Sequence, residues 1–329
     1  MNLRGKTINE TSLQNGTVAK EILSKFYRLL GLIAITIILS LSSPHFLQYS
    51  NLLNVFRQAS LLLVLSSGMT LVLLIGGIDL SVGSVATLTS CLVAKMLTTG
   101  QPILIITGGV ILSLAVGALC GLINGVMVAK VKLPPFIATL GMMQVARGLS
   151  LLLIGGNIVY GFNKQFRFLG AGVLFGIPMP IIIALMFVIL FWFISRRTNF
   201  GRSIYATGAN SKAAWLSGIN VDRTIIKVFT INGMVAAFTG LLFIARLNAA
   251  EPGFGDQIHL QAVAATIIGG TASTGGKGGV LGTVIGALIM MLIINGMNLH
   301  GISSLWQQVF NGTVIILAVL MDLISKNRE

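Results

Sequence analysis

An apolar run of about 20 residues is long enough, as a helix, to cross a hydrocarbon core of about 30 Å, and runs of this kind recur along nearly the whole chain. Nothing else in the sequence narrows the fold so sharply. Only 9% of the 329 residues are charged and 55% are hydrophobic, whereas a soluble domain carries roughly 25% charged residues. Mean hydropathy is +0.93. The reading is an all-α, polytopic membrane protein of about ten transmembrane helices, with no stretch of comparable length left for a soluble domain.

The expected spans are residues 27–43, 57–75, 83–98, 103–129, 135–155, 178–195, 226–246, 258–270, 280–298 and 305–323. They make one transmembrane domain, 27–323, between cytoplasmic tails at 1–26 and 324–329. The first run follows Arg4, Lys6, Lys20, Lys25 and Arg28 and ends at Ser43 without a small-residue cleavage pattern, so it reads as an uncleaved anchor.

With both termini inside, 16 Lys and Arg fall in inner segments: the five up to Arg28, Lys130 and Lys132, six from Arg196 to Lys227, Lys277, Lys326 and Arg328. Five fall outside (Arg57, Lys95, Lys164, Arg167 and Arg246), and Arg147 lies within a span. This asymmetry is the positive-inside pattern for an even number of spans. It also accounts for the net charge of +14 without nucleic acid, because the basic residues are scattered through short loops. The loop Asn248 to Gln257, with Glu251, Asp256 and no Lys, is expected outside.

Two spans are irregular. Residues 258–270 reach only about 20 Å as a helix, too short to cross alone. The run from 57 stops at Gly76-Gly77, turns through Ile78-Asp79-Leu80-Ser81 and resumes at Val82. Backbone that leaves helical geometry at membrane depth must be buried in protein or face water. The ending Leu74-Ile75-Gly76-Gly77 returns as Ile267-Ile268-Gly269-Gly270, a weak duplication of the kind found in transporters, whose sites lie at interrupted helices.

Asp79 admits two readings: with Ser81 it can cap the third span beside the translocation pathway, or it is a functional intramembrane carboxylate. Arg147, flanked by Met142, Met143, Leu149 and Leu151, must face protein or a water-filled cavity; it bonds either a passing hydroxylated solute or neighbouring carbonyls. Asn124, Gln144, Asn232, Gln261, Asn295 and Asn298 either bridge helices or line the path. These residues form the candidate pathway or gate. Cys91 and Cys120 have neither CxxC spacing nor a nearby His and read as buried packing residues, so no metal site is expected. His45, His259 and His300 lie far apart, and no arrangement of nucleophile and base suggests catalysis.

The loop Gly269 to Gly279 looks like a phosphate cradle but fails the pattern. The residue six before Lys277 is Thr271, and Gly278 stands where the metal-binding Ser or Thr belongs. The chain is therefore not expected to hydrolyse ATP. The loop is either a tight connection between spans eight and nine or a partner contact. Loop 196–223 contains a second pattern. Asn210 or Ser211 can cap a short helix to about Ser217, ended by Gly218 and showing Ala213, Ala214, Trp215 and Leu216. It fits a partner's groove or rests on lipid headgroups.

The combination Gly77-Ile78-Asp79-Leu80-Ser81-Val82-Gly83-Ser84, Pro135 through Gly141, Gly201-Arg202 through Ser217-Gly218-Ile219, and Gly269-Gly270-Thr271 through Gly278 resembles the ribose-type permeases of bacterial ABC sugar importers. The resemblance covers residues 27–323. It implies a type II importer permease of about ten spans, paired as a dimer in the bacterial inner membrane. An extracytoplasmic sugar-binding protein feeds it, and a cytoplasmic ABC ATPase, which holds ATP and Mg, drives it; this chain binds no cofactor. It also implies that residues 210–217 are a coupling helix, so that Arg202, Asn210, Lys212, Ala213, Ala214, Trp215, Ser217 and Gly218 contact the ATPase. Relatives commonly carry Glu-Ala-Ala where this chain has Lys212-Ala213-Ala214, which puts a specific salt bridge there in doubt. Ribose is the first expectation, with galactose, xylose and allose as other cargoes of this permease type. The alternative is a self-sufficient ion-coupled transporter using Asp79 and Arg147.

Overall fold

The computed structural model describes residues 26–97 and 102–326. The expected N-terminal tail, up to residue 25, and the last three residues of the expected C-terminal tail lie outside the described residues. The helices are α1 (Phe26–Ser42), α2 (Tyr49–Leu74), α3 (Val82–Ala94), α4 (Ile103–Ala129), α5 (Pro135–Ile154), α6 (Lys164–Ala171), α7 (Met179–Arg197), α8 (Asn199–Ala209), α9 (Ser211–Leu216), α10 (Val221–Leu247), α11 (Ile258–Ile268), α12 (Val280–Leu299) and α13 (Ser304–Lys326). α5 begins at Pro135 and α7 has Pro180 at its second position, where the fixed φ suits a first turn that needs no N–H, and Pro102 precedes the first residue of α4.

Among the described residues six helices are long and apolar enough to cross a membrane: α2, α4 from Leu104, α5, α7, α10 and α12. The remaining four of the ten expected segments, α1, α3, α11 and α13, fall outside this set. α3 has 13 residues and α11 has 11, about 20 and 16 Å at 1.5 Å per residue. Both are half-length because the chain breaks beside them. α2 begins eight residues before its expected start, since Asn51, Asn54, Arg57 and Gln58 disguise its first turns. α13 runs through residues 324–326, which were expected in the tail.

α2 and α10 form the interior, 83% and 72% buried over their apolar windows, while α4, α5 and α7 turn most of their surface outward. α4 meets α10 through Gly117, Gly121 and Gly125, spaced four apart on one face. A Cβ on these glycines would lie 2.4 Å from the Gly233 carbonyl oxygen, 2.2 Å from the Phe229 carbonyl oxygen and 2.8 Å from Ile226 Cα, respectively. The backbones can approach this closely only without side chains, which is how small residues drive helix association in lipid.

α2 and α11 end in the same device. The Gly76 N–H donates to Leu73 O at 2.8 Å and the Gly77 N–H to Val72 O at 2.9 Å; the Gly270 N–H donates to Ile267 O at 2.7 Å and the Thr271 N–H to Thr266 O at 3.1 Å. Both are Schellman caps, with left-handed Gly76 (φ 78°) and Gly270 (φ 84°) at the same step. The two sequence endings are thus related, but one residue out of the register their letters suggest.

At one end of the bundle, β1 (Val159–Tyr160) pairs antiparallel with β4 (Ala249–Ala250), and β2 (Val173–Leu174) with β3 (Ile177–Pro178) around Phe175-Gly176. The sequence reading assigned no structure here, because strands this short carry no periodicity.

Replacing Gly121 by Val should force α4 off the Phe229 carbonyl and lower stability by about 1–3 kcal/mol, read as a lower melting midpoint in detergent. Replacing Gly108 by Ala, where the added methyl meets nothing within 4 Å, should not lower the midpoint and should raise it slightly, since alanine is the better helix former.

Candidate functional site

Four of the polar residues singled out from the sequence meet inside the bundle. After the α2 cap, the chain turns back through Ile78–Ser81 before α3 begins. Asp79 Oδ1 accepts from the Ser81 N–H at 2.9 Å and from Ser81 Oγ at 2.6 Å, and Oδ2 accepts from Asn232 Nδ2 at 2.9 Å. Ser81 Oγ in turn accepts from Asn124 Nδ2 at 2.9 Å. α4 and α10 supply the two amides, which the glycine contacts bring close enough to reach. Asp79, Ser81, Asn124 and Asn232 are all buried.

The carboxylate therefore holds the turn and not the helix: Ser81 is the N-cap of α3 and makes no side-chain cap bond. Thr139, near the start of α5, completes the turn. Its hydroxyl donates to Pro135 O at 2.9 Å and accepts from the Leu80 N–H at 3.2 Å. Thr139 lies in the Pro135–Gly141 run but received no role from the sequence, because a lone Thr in an apolar helix gives no such signal. The amide oxygens of Asn124 and Asn232 are buried without a hydrogen bond. No second acid, His or cation lies among the bonded neighbours of Asp79, so the cluster offers three donors to one carboxylate and no onward path for a proton.

The other candidates stand apart. Asn295 exchanges bonds with Asn51 at 2.8 and 3.1 Å, tying α12 to α2. Asn298 accepts from Gln307 at 2.7 Å at an exposed end. Gln261 is half-buried on α11, and Gln144 is exposed on α5. Arg147 reaches neither carbonyls nor the cluster: its Nη2 donates to Asp256 Oδ2 at 2.9 Å. The loop Asn248–Gln257, expected outside, thus sends a carboxylate to the middle of α5.

Around the segment 196–223, three backbones interlock. A Cβ on Gly208 of α8 would lie 1.8 Å from the Leu74 carbonyl oxygen, which accepts from the Gly276 N–H at 2.9 Å. Tyr205 Oη donates to Gly278 O at 2.9 Å, and the Arg196 guanidinium lies 5.3 Å over the Tyr205 ring. The glycine-rich loop is therefore packed onto the ends of α2 and α8 as a tight connection. α8 itself is a helix that the sequence reading left unassigned.

Beyond α8, Asn210 Oδ1 accepts from the Ala213 N–H at 2.9 Å and caps α9, which Gly218 ends at φ 84°. Ser217 Oγ donates to Ala213 O at 3.0 Å, and Arg202 bonds Asn199. Ala214 is buried, but Trp215 and Leu216 are 67% and 70% exposed, and Lys212 and Ala213 are exposed. Beside them Lys130 and Lys132 share Asp222 at 3.1 and 2.9 Å and wall a hollow with Lys212 and Trp215. An apolar, basic-rimmed knob thus projects from the bundle.

Residues 51–319 match the family described as branched-chain amino acid transport system / permease component. The chain is 42% identical over 304 residues to the ribose import permease protein RbsC of Bacillus subtilis (strain 168), covering 92% of this chain and 93% of that protein. It is 41% identical over 298 residues to RbsC of Escherichia coli (strain K12), 89% and 92% of the two chains. It is also 41% identical over 297 residues to the D-allose transport system permease protein AlsC of that strain, 89% and 90% of the two chains. No solved structure matches the chain.

Asp79→Ala should leave the Ser81 N–H and the Asn232 amide without acceptors, at about 1–3 kcal/mol each, and lower the melting midpoint accordingly. Asp79→Asn should stay within about 1 kcal/mol, since Asn232 can turn its amide and give its unbonded oxygen a donor. Solute uptake by the Asp79→Asn variant should persist; its abolition in a protein of normal midpoint would make the carboxylate an ion carrier.

Proposed function

This chain belongs to the branched-chain amino acid transport system / permease component family, and from that membership we propose that it is the transmembrane subunit of an ATP-driven sugar importer. The observation that carries the cargo class is the 42% identity to a ribose import permease across 92% of this chain and 93% of the relative. The D-allose permease at 41% places a second monosaccharide within reach of the same scaffold. Ribose is the cargo to try first.

In this reading two copies, each crossing the bacterial inner membrane about ten times with both termini cytoplasmic, enclose the pathway. The bias of Lys and Arg supports that orientation, and the residues 27–323 form the single permease domain. α1, α3, α11 and α13 then complete the crossings, α3 and α11 as half-helices buried by their neighbours. A cytoplasmic ABC ATPase holds ATP and Mg, and an extracytoplasmic binding protein delivers the sugar.

α9 is the coupling element. Its exposed Trp215 and Leu216 suit an apolar cleft. Arg202, Asn210, Lys212, Ala213, Ala214, Ser217 and Gly218 shape or rim the contact. Lys212 selects an acidic or neutral ATPase surface where an acidic residue would select a basic one. Arg147, Gln144 and Gln261 belong to the pathway wall, whereas Asp79, Ser81, Asn124 and Asn232 brace the turn beside it, and Asn295 and Asn298 brace helix ends. The three bonds to Asp79 support a role in holding the turn over the ion-coupled alternative.

In liposomes, hydrolysis by a cognate ATPase should be stimulated only when this chain and a sugar-loaded binding protein are both present. Deleting residues 210–217, or replacing Lys212 by Glu, should change that stimulation at an unchanged melting midpoint. Stimulation identical to wild type after the deletion would remove α9 from the coupling path.

A further inference from the structure

The Arg147–Asp256 pair lies where a charge has no business facing lipid. Arg147 is about 18 Å from Pro135 along a helix of about 30 Å, so it sits well inside the span of α5. Asp256 comes from a segment that folds back into the bundle. Ala250 packs with Val93 and Ala94 at the far end of α3. Gly255 meets the first turns of that helix: its N–H donates to Thr87 Oγ1 at 3.1 Å, and a Cβ there would lie 2.1 Å from the Gly83 carbonyl oxygen. Thr87 and Ala94 are about 10 Å apart along α3. Between Ala250 and Gly255, therefore, the chain descends about that far, and α11 starts at this depth.

At that depth Arg147 and Asp256 keep 51% and 38% of their side-chain surface exposed. Gly141, Gln144 and Gly148 of α5 are exposed as well, and nothing lies within 4 Å of a methyl on either glycine. Charged and amide groups exposed within a span face water or protein, not hydrocarbon. Among the described residues the pair is the only hydrogen bond between α5 and residues 251–257. That segment is otherwise held against α3 and α11, by the Thr87 bond, the close Gly255–Gly83 backbone contact and the His259 ring nitrogen at 3.4 Å from Gly255 O, and by the neighbouring β4 pairing and Phe254 stacked on Phe243 at 3.7 Å. A half-hydrated ion pair is weak enough to break and re-form.

We propose that Arg147 and Asp256 form an ionic latch on the wall of the translocation pathway, holding the re-entrant segment 251–257 against α5 and opening once per transport cycle. The proposal rests on the importer reading. While the latch is closed, its one Arg–Asp bond leaves the other guanidinium N–H groups and Asp256 Oδ1 to water. Cargo hydroxyls match both donors and acceptors, so a sugar in the pathway competes for the pair and eases its opening.

The test uses the complete assembly with its ATPase and binding protein in proteoliposomes, with ribose and allose as probes. An Arg147→Cys, Asp256→Cys variant is bridged by a short bifunctional methanethiosulfonate reagent; the native Cys91 and Cys120 are buried. Bridging should lower ATP-driven uptake at least about tenfold relative to the unbridged variant, as for a blocked gate. Dithiothreitol should restore the variant's own untreated rate, and the reagent should leave each single-cysteine variant at its own untreated rate. Uptake at the unbridged rate after complete bridging overturns the latch.

If the cysteine pair fails to assemble, the charges decide. Either charge reversal alone sets two like charges face to face and should lower uptake, the exchange Arg147→Asp with Asp256→Arg should regain it, and failure to regain it in a protein of normal midpoint overturns the proposal. A wild-type assembly that hydrolyses ATP but imports no sugar overturns the importer reading, and the latch with it. A working wild type with a harmless bridge overturns the latch alone.

Discussion

Hydrocarbon offers no partner to a backbone N–H or C=O, so every place where a helix stops inside the bundle must be closed by protein or by water. Among the described residues three such places stand out. At Ile75–Ser81 the closure is a glycine cap followed by a buried carboxylate that gathers a serine and an asparagine from α10. At Gly269–Gly279 it is a second glycine cap and a loop laid on Leu74 and Tyr205. At Glu251–Gln257 the closure is incomplete: Thr87 holds one N–H, and the remaining contact with α5 is an ion pair open to water. Two closures are made wholly by protein, and the third, held to α3 by the Gly255–Gly83 contact, meets α5 through the half-exposed pair that the proposed latch uses.

The bundle depends on missing side chains as much as on bonds. Gly117, Gly121 and Gly125 bring α4 onto α10, and only at that spacing can Asn124 and Asn232 reach the Ile78–Ser81 turn from two sides. Gly208 does the same for α8 against the end of α2. Because Gly276 shares the Leu74 carbonyl with that contact, the glycine-rich loop, α8 and the end of α2 form one packed unit. α9 is attached to this unit, and the Asp79 turn continues directly from it. In the coupling role proposed for α9, a push on it would act on a contiguous assembly of backbones whose next element is α3.

Much of this was legible in the sequence. The apolar runs gave the helices, Gly76-Gly77 gave the break, and Asn210 and Gly218 bounded α9, because each rests on local chemistry. What was not legible depends on partners distant in the chain. Asp79 and Asn232 lie 153 residues apart, and no local rule pairs them. The charge pattern of loop 248–257 reads as an outside position and says nothing of its folding back onto α3. Asn51, Asn54, Arg57 and Gln58 hid the start of α2, since polar residues near a span's end cost little. The GxxxG spacing in α4 was present in the letters, and its meaning came only from the Phe229 and Gly233 carbonyls opposite.

In the importer reading the bundle is driven from outside the chain and carries no ion of its own. The most direct measurement is sugar uptake by the reconstituted assembly with ATP supplied, while proton and sodium gradients are collapsed by ionophores. Uptake should follow ATP and be indifferent to both ionophores. Uptake by this chain without an ATPase, running with either gradient and stopping when that gradient is collapsed, would contradict it.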